Sequence, residues 1–267
     1  MARALTIAGS DSSGGAGIQA DLRTFEALGI RGATAITAIT AQNAQGVSAI
    51  APLSADLVIA QIEAVAADAE IQATKIGMLG TAAIAEAVAA AIEDLELPLV
   101  VLDPVLASTS GTRLLDADGV QTLVTELLPR VLVVTPNLPE AEALSGIRID
   151  SIARAQDAAR RLHEMGAENV IVKGGHGLAS ATMGGAREGV VEAPDILDIL
   201  FDGRAFHELR VARVNSRQMR GTGCSYSSAI AAFLALGRAL PDAAAQAQRH
   251  VAGLIAKEAG GRKGTVY

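Results

Sequence analysis

The only cysteine of the chain follows a short glycine-rich segment that could act on a phosphoryl group. The segment is RGTGCS (220–225), and a run of small residues typical of a packed helix follows it. At the start of a helix, the backbone N–H groups of Gly221, Thr222 and Gly223 would point outward, and the helix dipole favours an anion there. The same dipole is expected to lower the pKa of Cys224 and to let its thiolate act as a general base. The alternative is that the cysteine is a small buried apolar residue.

A second glycine-rich segment, AGSDSSGGAG (8–17), lies between a strand-like and a helix-like stretch. Ligands of α/β proteins bind at such strand ends, and glycine lets them approach the backbone closely. Residues 15–20 also fit a dinucleotide fingerprint, which requires an acidic residue about 20 positions later. Residues 32–55 contain no Asp or Glu, so a dinucleotide oxidoreductase is disfavoured. A purely structural turn stays open.

Composition excludes several other classes of function. The net charge of −7 and the lack of a basic run argue against a nucleic-acid partner. The apolar stretches near 82–102 and 227–240 are too short for a membrane span. No P-loop motif and no zinc-ligand spacing occurs. One cysteine allows no internal disulfide, and the chain lacks a secretory signal pattern, so the expected location is the cytoplasm.

The elements that would position these segments alternate along the chain. Half of the residues are hydrophobic but only 2% are aromatic, which is typical of parallel strands covered by helices. No linker or repeat divides the chain, so one domain over 1–267 is expected, with a loop at 174–189. The predicted strands are 4–8, 33–40, 47–51, 73–77, 98–102, 131–135, 169–173, 196–201 and 205–210. The predicted helices include 55–69, 82–95 and 152–165, capped by Ser54, Thr81 and Ser151, and two final helices at 224–236 and 241–258.

Sequence blocks over nearly the whole chain resemble the hydroxymethylpyrimidine kinase/phosphomethylpyrimidine kinase family of thiamine biosynthesis, in the ribokinase-like superfamily. The resemblance implies a three-layer α/β/α fold with a central, mainly parallel sheet, and a homodimer. The blocks are TIAGSDSSGGAGIQADLRTFEALG (6–29), TAITAQN (37–43), TKIGMLG (74–80), VVLDPV (100–105), VVTPNLPEAEAL (133–144), VIVKGGH (170–176), DILFDG (198–203) and GTGCSYSSAIAAFLALG (221–237).

The resemblance also implies an activity and a substrate site. ATP would phosphorylate 4-amino-5-hydroxymethyl-2-methylpyrimidine and then its monophosphate, giving the pyrophosphate. Asp21 and Gln42 would hydrogen-bond the aminopyrimidine, since a carboxylate and an amide can bind its donors and acceptors. The remaining substrate contacts would come from the backbone of Gly9 and Ala16 and from the side chains of Met78 and Val105.

The nucleotide side is implied in the same way. Asp103 and Glu140 match positions that organise Mg²⁺, while Asn137, Lys173 and Thr222 match positions near ATP. Carboxylate oxygens suit Mg²⁺, and phosphoryl transfer needs mainly positioning and charge neutralisation.

A purely structural role is open for each of these residues. Asp21 could complement a helix dipole, and Gln42 could form a turn with Asn43. The remaining structural roles are a strand-ending turn at Asp103, a helix start at Asn137 and Glu140, a core position for Met78 and a solvated strand end at Lys173.

Arg220 is a departure from the family pattern, and two further functions stay open. The family often has His where this chain has Arg220, so the charge beside the anion site differs. The chain could instead be a pyridoxal or pyridoxine kinase of the same superfamily, or a non-catalytic pyrimidine sensor.

Overall fold

A computed structural model describes residues 1–108, 110–174, 195–214 and 220–261. Its strands form one sheet with the order β3-β2-β1-β4-β5-β6-β7-β8-β9. The strands are β1 (Arg3–Asp11), β2 (Arg31–Asn43), β3 (Gly46–Pro52), β4 (Ala73–Ile76), β5 (Val100–Leu102), β6 (Val133–Val134), β7 (Asn169–Val172), β8 (Ile196–Phe201) and β9 (Phe206–Val211). The six central strands β2, β1, β4, β5, β6 and β7 are parallel, while β3, β8 and β9 pair antiparallel at the two edges. Each predicted strand is present.

The helices are α1 (Gly17–Ala27), α2 (Ala55–Asp68), α3 (Ala82–Asp94), α4 (Ala117–Thr122), α5 (Leu138–Ser145), α6 (Ile152–Glu164), α7 (Thr222–Ala235) and α8 (Leu240–Gly261). A π-helical turn (Leu123–Leu127) and a 3-10 turn (Leu128–Arg130) continue α4. The hydroxyls of Ser54, Thr81 and Ser151 each accept a bond from the backbone N–H three residues on, as predicted for N-caps. Of the predicted loop at 174–189, all but Gly174 lies outside the described residues.

Alternate residues of the central strands enter two separate cores, which makes the fold three-layered. On β5, Val100 and Leu102 pack on one face of the sheet with α2, α3, α5 and α6. Val101 between them packs on the other face with α1, α7 and α8. This alternation follows from the period of two in a strand, and it confirms the predicted α/β/α architecture.

No helix in the described ranges is long and apolar enough to cross a bilayer. The carboxyl ends of the parallel strands lie at one edge of the sheet, where Asp11, Asp103 and Lys173 follow or end β1, β5 and β7. The architecture therefore places these polar residues beside the start of α7.

Candidate active site

A cavity of about 1040 Å³ opens at the carboxyl ends of the parallel strands. Its wall brings together residues that the sequence separates by more than 200 positions, such as Gly9 and Cys224. Asp21 apart, every residue assigned to the site from the sequence lines this cavity: Gly9, Ala16, Gln42, Met78, Asp103, Val105, Asn137, Glu140, Lys173, Gly221, Thr222, Gly223 and Cys224.

The two glycine-rich segments contact each other at the mouth of the cavity. Gly221 has φ +74°, and a Cβ on it would overlap the carbonyl oxygen of Gly15. Glycine is therefore required both for the left-handed backbone and for the close approach. Because Gly221 is the N-cap of α7, the helix begins two residues before the predicted position, and Thr222, Gly223 and Cys224 form its first turn.

The side chain of Arg220 also connects the two glycine-rich segments, residues 8–17 and 220–225. Its guanidinium lies 3.3 Å from the carboxylate of Asp11 and donates hydrogen bonds to the Ser13 hydroxyl and the Asn43 carbonyl. Asp11 in turn accepts hydrogen bonds from the backbone N–H groups of Ser13 and Ala16. Arg220, at the position where the resemblance implies histidine, thus connects the segment 220–225 to the segment 8–17.

Asp21 requires a correction, because it lies beneath the cavity and not on its wall. Its side chain is fully buried, and it accepts hydrogen bonds from Thr6 (2.6 Å), Lys75 (2.8 Å) and Ser228 (2.7 Å). With both oxygens bonded inside the protein, Asp21 is not placed to bind a pyrimidine. It is the counter-ion of Lys75.

Lys75 is a buried charged residue of the cavity that sequence reasoning missed. It lies on β4 with no exposed surface, yet it borders the cavity. Burial favours its neutral form, but the negative charges of Asp21 and Asp103 outweigh burial and raise the pKa of Lys75. The available signal was a lysine inside the strand Ala73–Ile76, in which each residue is otherwise apolar or small.

The expected pKa of Cys224 is also wrong. Burial raises the pKa of this thiol to about 11; Lys75 lowers it only in part, and Asp21 and Asp103 raise it further. The helix dipole is therefore outweighed by loss of water and by two carboxylates. At neutral pH the thiol is protonated in this structure.

The nucleotide end of the cavity contains a second lysine–aspartate pair. Lys173 Nζ lies 2.8 Å from Asp103 Oδ1, and both side chains are largely buried. A Cβ on Gly223 would lie 3.5 Å from Lys173 Nζ and 3.7 Å from Asp103 Oδ2. The first turn of α7 therefore lies directly against this pair, where its N–H groups and the ammonium can act on the same anion.

Asn137 and Glu140 begin α5 and face the same pair. They form a reciprocal capping box, in which each side chain accepts a hydrogen bond from the other's backbone N–H. Burial raises the pKa of Glu140 to about 7; Lys173 opposes this shift and Asp103 adds to it. The helix-start interpretation of these two residues is correct, and it is compatible with a place at the site.

The donor set at this end fits a hydrated magnesium ion. No cluster of three or more potential ligands among His, Cys, Asp and Glu occurs in the described ranges, so the protein offers no closed cage there. Mg²⁺ does not need one, because it keeps several waters and binds through one or two carboxylates and phosphates. Asp103 and Glu140 would supply those carboxylates, and a cation would relieve the unfavourable burial of Glu140.

The opposite end of the cavity is suited to a flat ring. Met78 is 8% exposed and packs with Ala38, Leu114 and Val105. Its sulfur lies 3.0 Å from where a Cβ on Gly9 would be, so glycine makes room for it. Gln42 lines this end as well, and its amide oxygen accepts from Thr40 at 3.3 Å.

The alternative role of Gln42 in a turn is not supported. The turn after β2 is capped by the side chain of Asn43, which accepts from the backbone N–H groups of Gln45 and Gly46. Gln42 is held through its backbone, which exchanges two hydrogen bonds with the Ser12 hydroxyl. Its side-chain amide therefore remains at the cavity.

Curated relatives match most of the chain and have names that describe kinases of thiamine biosynthesis. The chain is 45% identical over 251 residues to the hydroxymethylpyrimidine/phosphomethylpyrimidine kinase of Haemophilus influenzae, covering 94% of this chain and 90% of that protein. It is 44% identical over 251 residues to the thiamine biosynthesis bifunctional protein ThiED of Geobacter sulfurreducens. That match covers 94% of this chain but only 48% of the relative, so the chain spans about half of the bifunctional protein.

A solved structure agrees in fold. The pyridoxal kinase of Staphylococcus aureus in complex with AMP-PCP and pyridoxal superposes with a TM-score of 0.82 at 34% identity, covering 96% of this chain and 88% of that one. A family model described as phosphomethylpyrimidine kinase matches residues 11–266, and the chain therefore belongs to this family of kinases.

Proposed function

We propose that this kinase transfers the γ-phosphoryl group of ATP to the hydroxymethyl group of 4-amino-5-hydroxymethyl-2-methylpyrimidine, and then phosphorylates the monophosphate to the pyrophosphate. One observation carries the proposal: a single cavity has the Gln42 amide and the Met78 side chain at one end and the Lys173–Asp103 pair at the other. The names of the relatives at 44 and 45% identity support the choice of substrate.

The cavity residues would have different roles in substrate binding and phosphoryl transfer. Gln42 would hydrogen-bond the ring, Met78 and Val105 would pack on it, and the backbone of Gly9 and Ala16 would border it. Lys173 would bind the transferring phosphate, and the N–H groups of residues 221–224 would bind its developing charge. Thr222 and Asn137 line the cavity and would border the nucleotide.

Magnesium would be held by Asp103 and Glu140, and when bound it supplies charge neutralisation on the phosphate oxygens. The proton of the substrate hydroxyl would pass to Cys224. The oxygen then forms a bond to the γ-phosphorus, the bond to the bridging oxygen breaks, and ADP leaves. Because burial raises the pKa of Cys224 to about 11, the thiol must first lose its own proton to water before it can accept the proton of the substrate hydroxyl. Positive charge close to the sulfur is therefore part of the mechanism.

A competing substrate is pyridoxal, since the Staphylococcus aureus kinase that shares the fold was solved with it. Formation of ADP should be measured with each alcohol under identical conditions of ATP and Mg²⁺. We expect kcat/KM with the pyrimidine to exceed the value with pyridoxal. The reverse order would assign a vitamin B6 kinase, and binding of the pyrimidine without ADP formation would assign a non-catalytic sensor.

We also propose that the chain acts as one domain, as a homodimer and in the cytoplasm. The resemblance to the family supports the dimer. Light scattering behind size-exclusion chromatography should give twice the chain mass of 27.2 kDa. A mass of one chain would contradict the dimer.

A further inference from the structure

The pair formed by Lys75 and Asp21 lies directly below the start of α7. Neither side chain has exposed surface, and their 2.8 Å contact is completed by the hydroxyls of Thr6 and Ser228. Ser228 lies four residues after Cys224, so it occupies the same face of the helix one turn further on. The network is therefore fixed to the helix that carries the thiol.

Space for the ammonium is created by a glycine. A Cβ on Gly77 would lie 2.6 Å from Lys75 Nζ. Any other residue at that position would push the lysine away from its place beneath the cavity, where Lys75 and Cys224 border the same space. Strand β4, Gly77 and Asp21 thus hold the ammonium of Lys75 at a defined position.

The charged groups facing Cys224 come from four elements. Lys75 lies on β4, Asp21 on α1, Asp103 follows β5 and Lys173 follows β7. The backbone N–H of Gly17 also donates to the sulfur. The two aspartates disfavour a thiolate, and Lys173 is already bonded to Asp103 at 2.8 Å. Among these groups, Lys75 has the strongest favourable influence on the thiolate.

We propose that Lys75 is a positioning residue of the kinase, which keeps a buried positive charge beside Cys224 and so makes its thiolate accessible during turnover. Asp21 is the counter-ion that keeps this ammonium charged inside the protein. The proposed role of Lys75 in catalysis rests on the proposed function. The proposed effect of Lys75 on the thiolate of Cys224 does not.

The test uses the fact that the chain contains one cysteine. Iodoacetamide alkylates the thiolate, forming a carbon–sulfur bond with loss of iodide, so the rate against pH reports the thiol directly. The rate should be measured by intact mass for the natural protein and for Lys75→Met, with the exposed Lys257→Met as the matched control. Denatured samples of all three should react at one common rate.

We expect Lys75→Met to be alkylated about tenfold more slowly than the natural protein at each pH from 7 to 9, as for a thiol pKa one unit higher. Lys257→Met should follow the natural profile. A folded Lys75→Met protein whose profile superposes on the natural one would overturn the proposal.

The single variant leaves Asp21 as an uncompensated buried charge and could unfold. If the single variant does not fold, the alkylation rate is measured for the double variant Lys75→Met/Asp21→Asn, which removes both charges. Since Lys75 borders the cavity together with Cys224 while Asp21 lies beneath it, the double variant should still be alkylated more slowly than the natural protein. An unchanged or faster rate would overturn the proposal. If the pyrimidine is not phosphorylated but these rates differ as expected, the proposed function fails and the role of Lys75 stands.

Discussion

Gly221 and Gly15 meet so closely that a methyl group on Gly221 would overlap the Gly15 carbonyl oxygen. This contact joins the segment after β1 to the start of α7, although 206 positions separate the two residues. It places the substrate end of the cavity and the anion-binding turn in a fixed relation. The salt bridge from Arg220 to Asp11 supports the same junction.

Gly221→Ala should therefore damage both the fold and the site. The left-handed conformation alone costs a non-glycine residue roughly 1–2 kcal/mol, and the overlap with Gly15 adds to that cost. The matched control is Gly237→Ala, which has φ +78° but no atom within 4 Å of the added methyl group. Thermal unfolding and kcat/KM should show a small loss of stability with normal activity for the control, and a larger loss of both for Gly221→Ala. Equal effects would mean that the contact is unimportant.

Cys224→Ala should lower kcat and leave the fold intact. General-base catalysis contributes about 10²–10⁴-fold, so we expect a fall of at least about 100-fold. Because burial raises the pKa of the thiol, log kcat of the natural enzyme should also rise with pH above neutrality. The variant should lose this slope. Near-normal turnover in a folded Cys224→Ala protein would remove the base assignment.

Lys173→Met should weaken the use of ATP. A hydrogen bond to a charged group contributes about 1.5–3 kcal/mol, so KM for ATP should rise about 10–100-fold, with a fall in kcat. The change also leaves Asp103 without its 2.8 Å partner, and higher Mg²⁺ concentrations should restore part of the activity. Steady-state kinetics over a range of Mg²⁺ would check both effects. An unchanged KM for ATP would exclude the phosphate contact.

Glu140→Gln should change how stability depends on pH. The folded state raises the pKa of Glu140 from 4.5 to about 7, so the folded protein holds this proton more tightly than the unfolded chain does. The natural protein should consequently lose stability relative to the variant as pH rises from about 4.5 to about 7, by on the order of 2 kcal/mol. Glutamine preserves the capping box, which limits other effects. Chemical denaturation between pH 5 and 8 is the measurement, with the exposed Glu86→Gln as control. If the difference in unfolding free energy between the natural protein and Glu140→Gln does not change with pH, the raised pKa of Glu140 is contradicted.

Periodicity and capping residues predicted the alternation of strands and helices, and the resemblance to the family implied the three-layer arrangement. Every strand was located within a few residues because β-branched runs are local signals, and the caps Ser54, Thr81 and Ser151 located the starts of three helices in the same way. Most of the predicted site residues line the cavity, since they lie at strand ends within the sequence blocks of the family. The antiparallel edge strands β8 and β9 add Ile196, Asp198 and Val211 to the cavity wall.

Two features of the site could not be predicted, and both depend on burial. Lys75 and Asp21 lie 54 positions apart, and nothing local shows that they form an ion pair below the cavity. The pKa of Cys224 was predicted from the helix dipole alone. Desolvation and the carboxylates of Asp21 and Asp103 dominate instead, and these are properties of the packed structure.

We expect the enzyme to phosphorylate the pyrimidine alcohol and then its monophosphate in one cavity. Mass spectrometry of a time course with ATP, Mg²⁺ and 4-amino-5-hydroxymethyl-2-methylpyrimidine tests it most directly. The monophosphate should appear first and then convert to the pyrophosphate, and Cys224→Ala should slow the appearance of the monophosphate. Accumulation of monophosphate alone would restrict the enzyme to one step, and absence of any phosphorylated pyrimidine would contradict the claim.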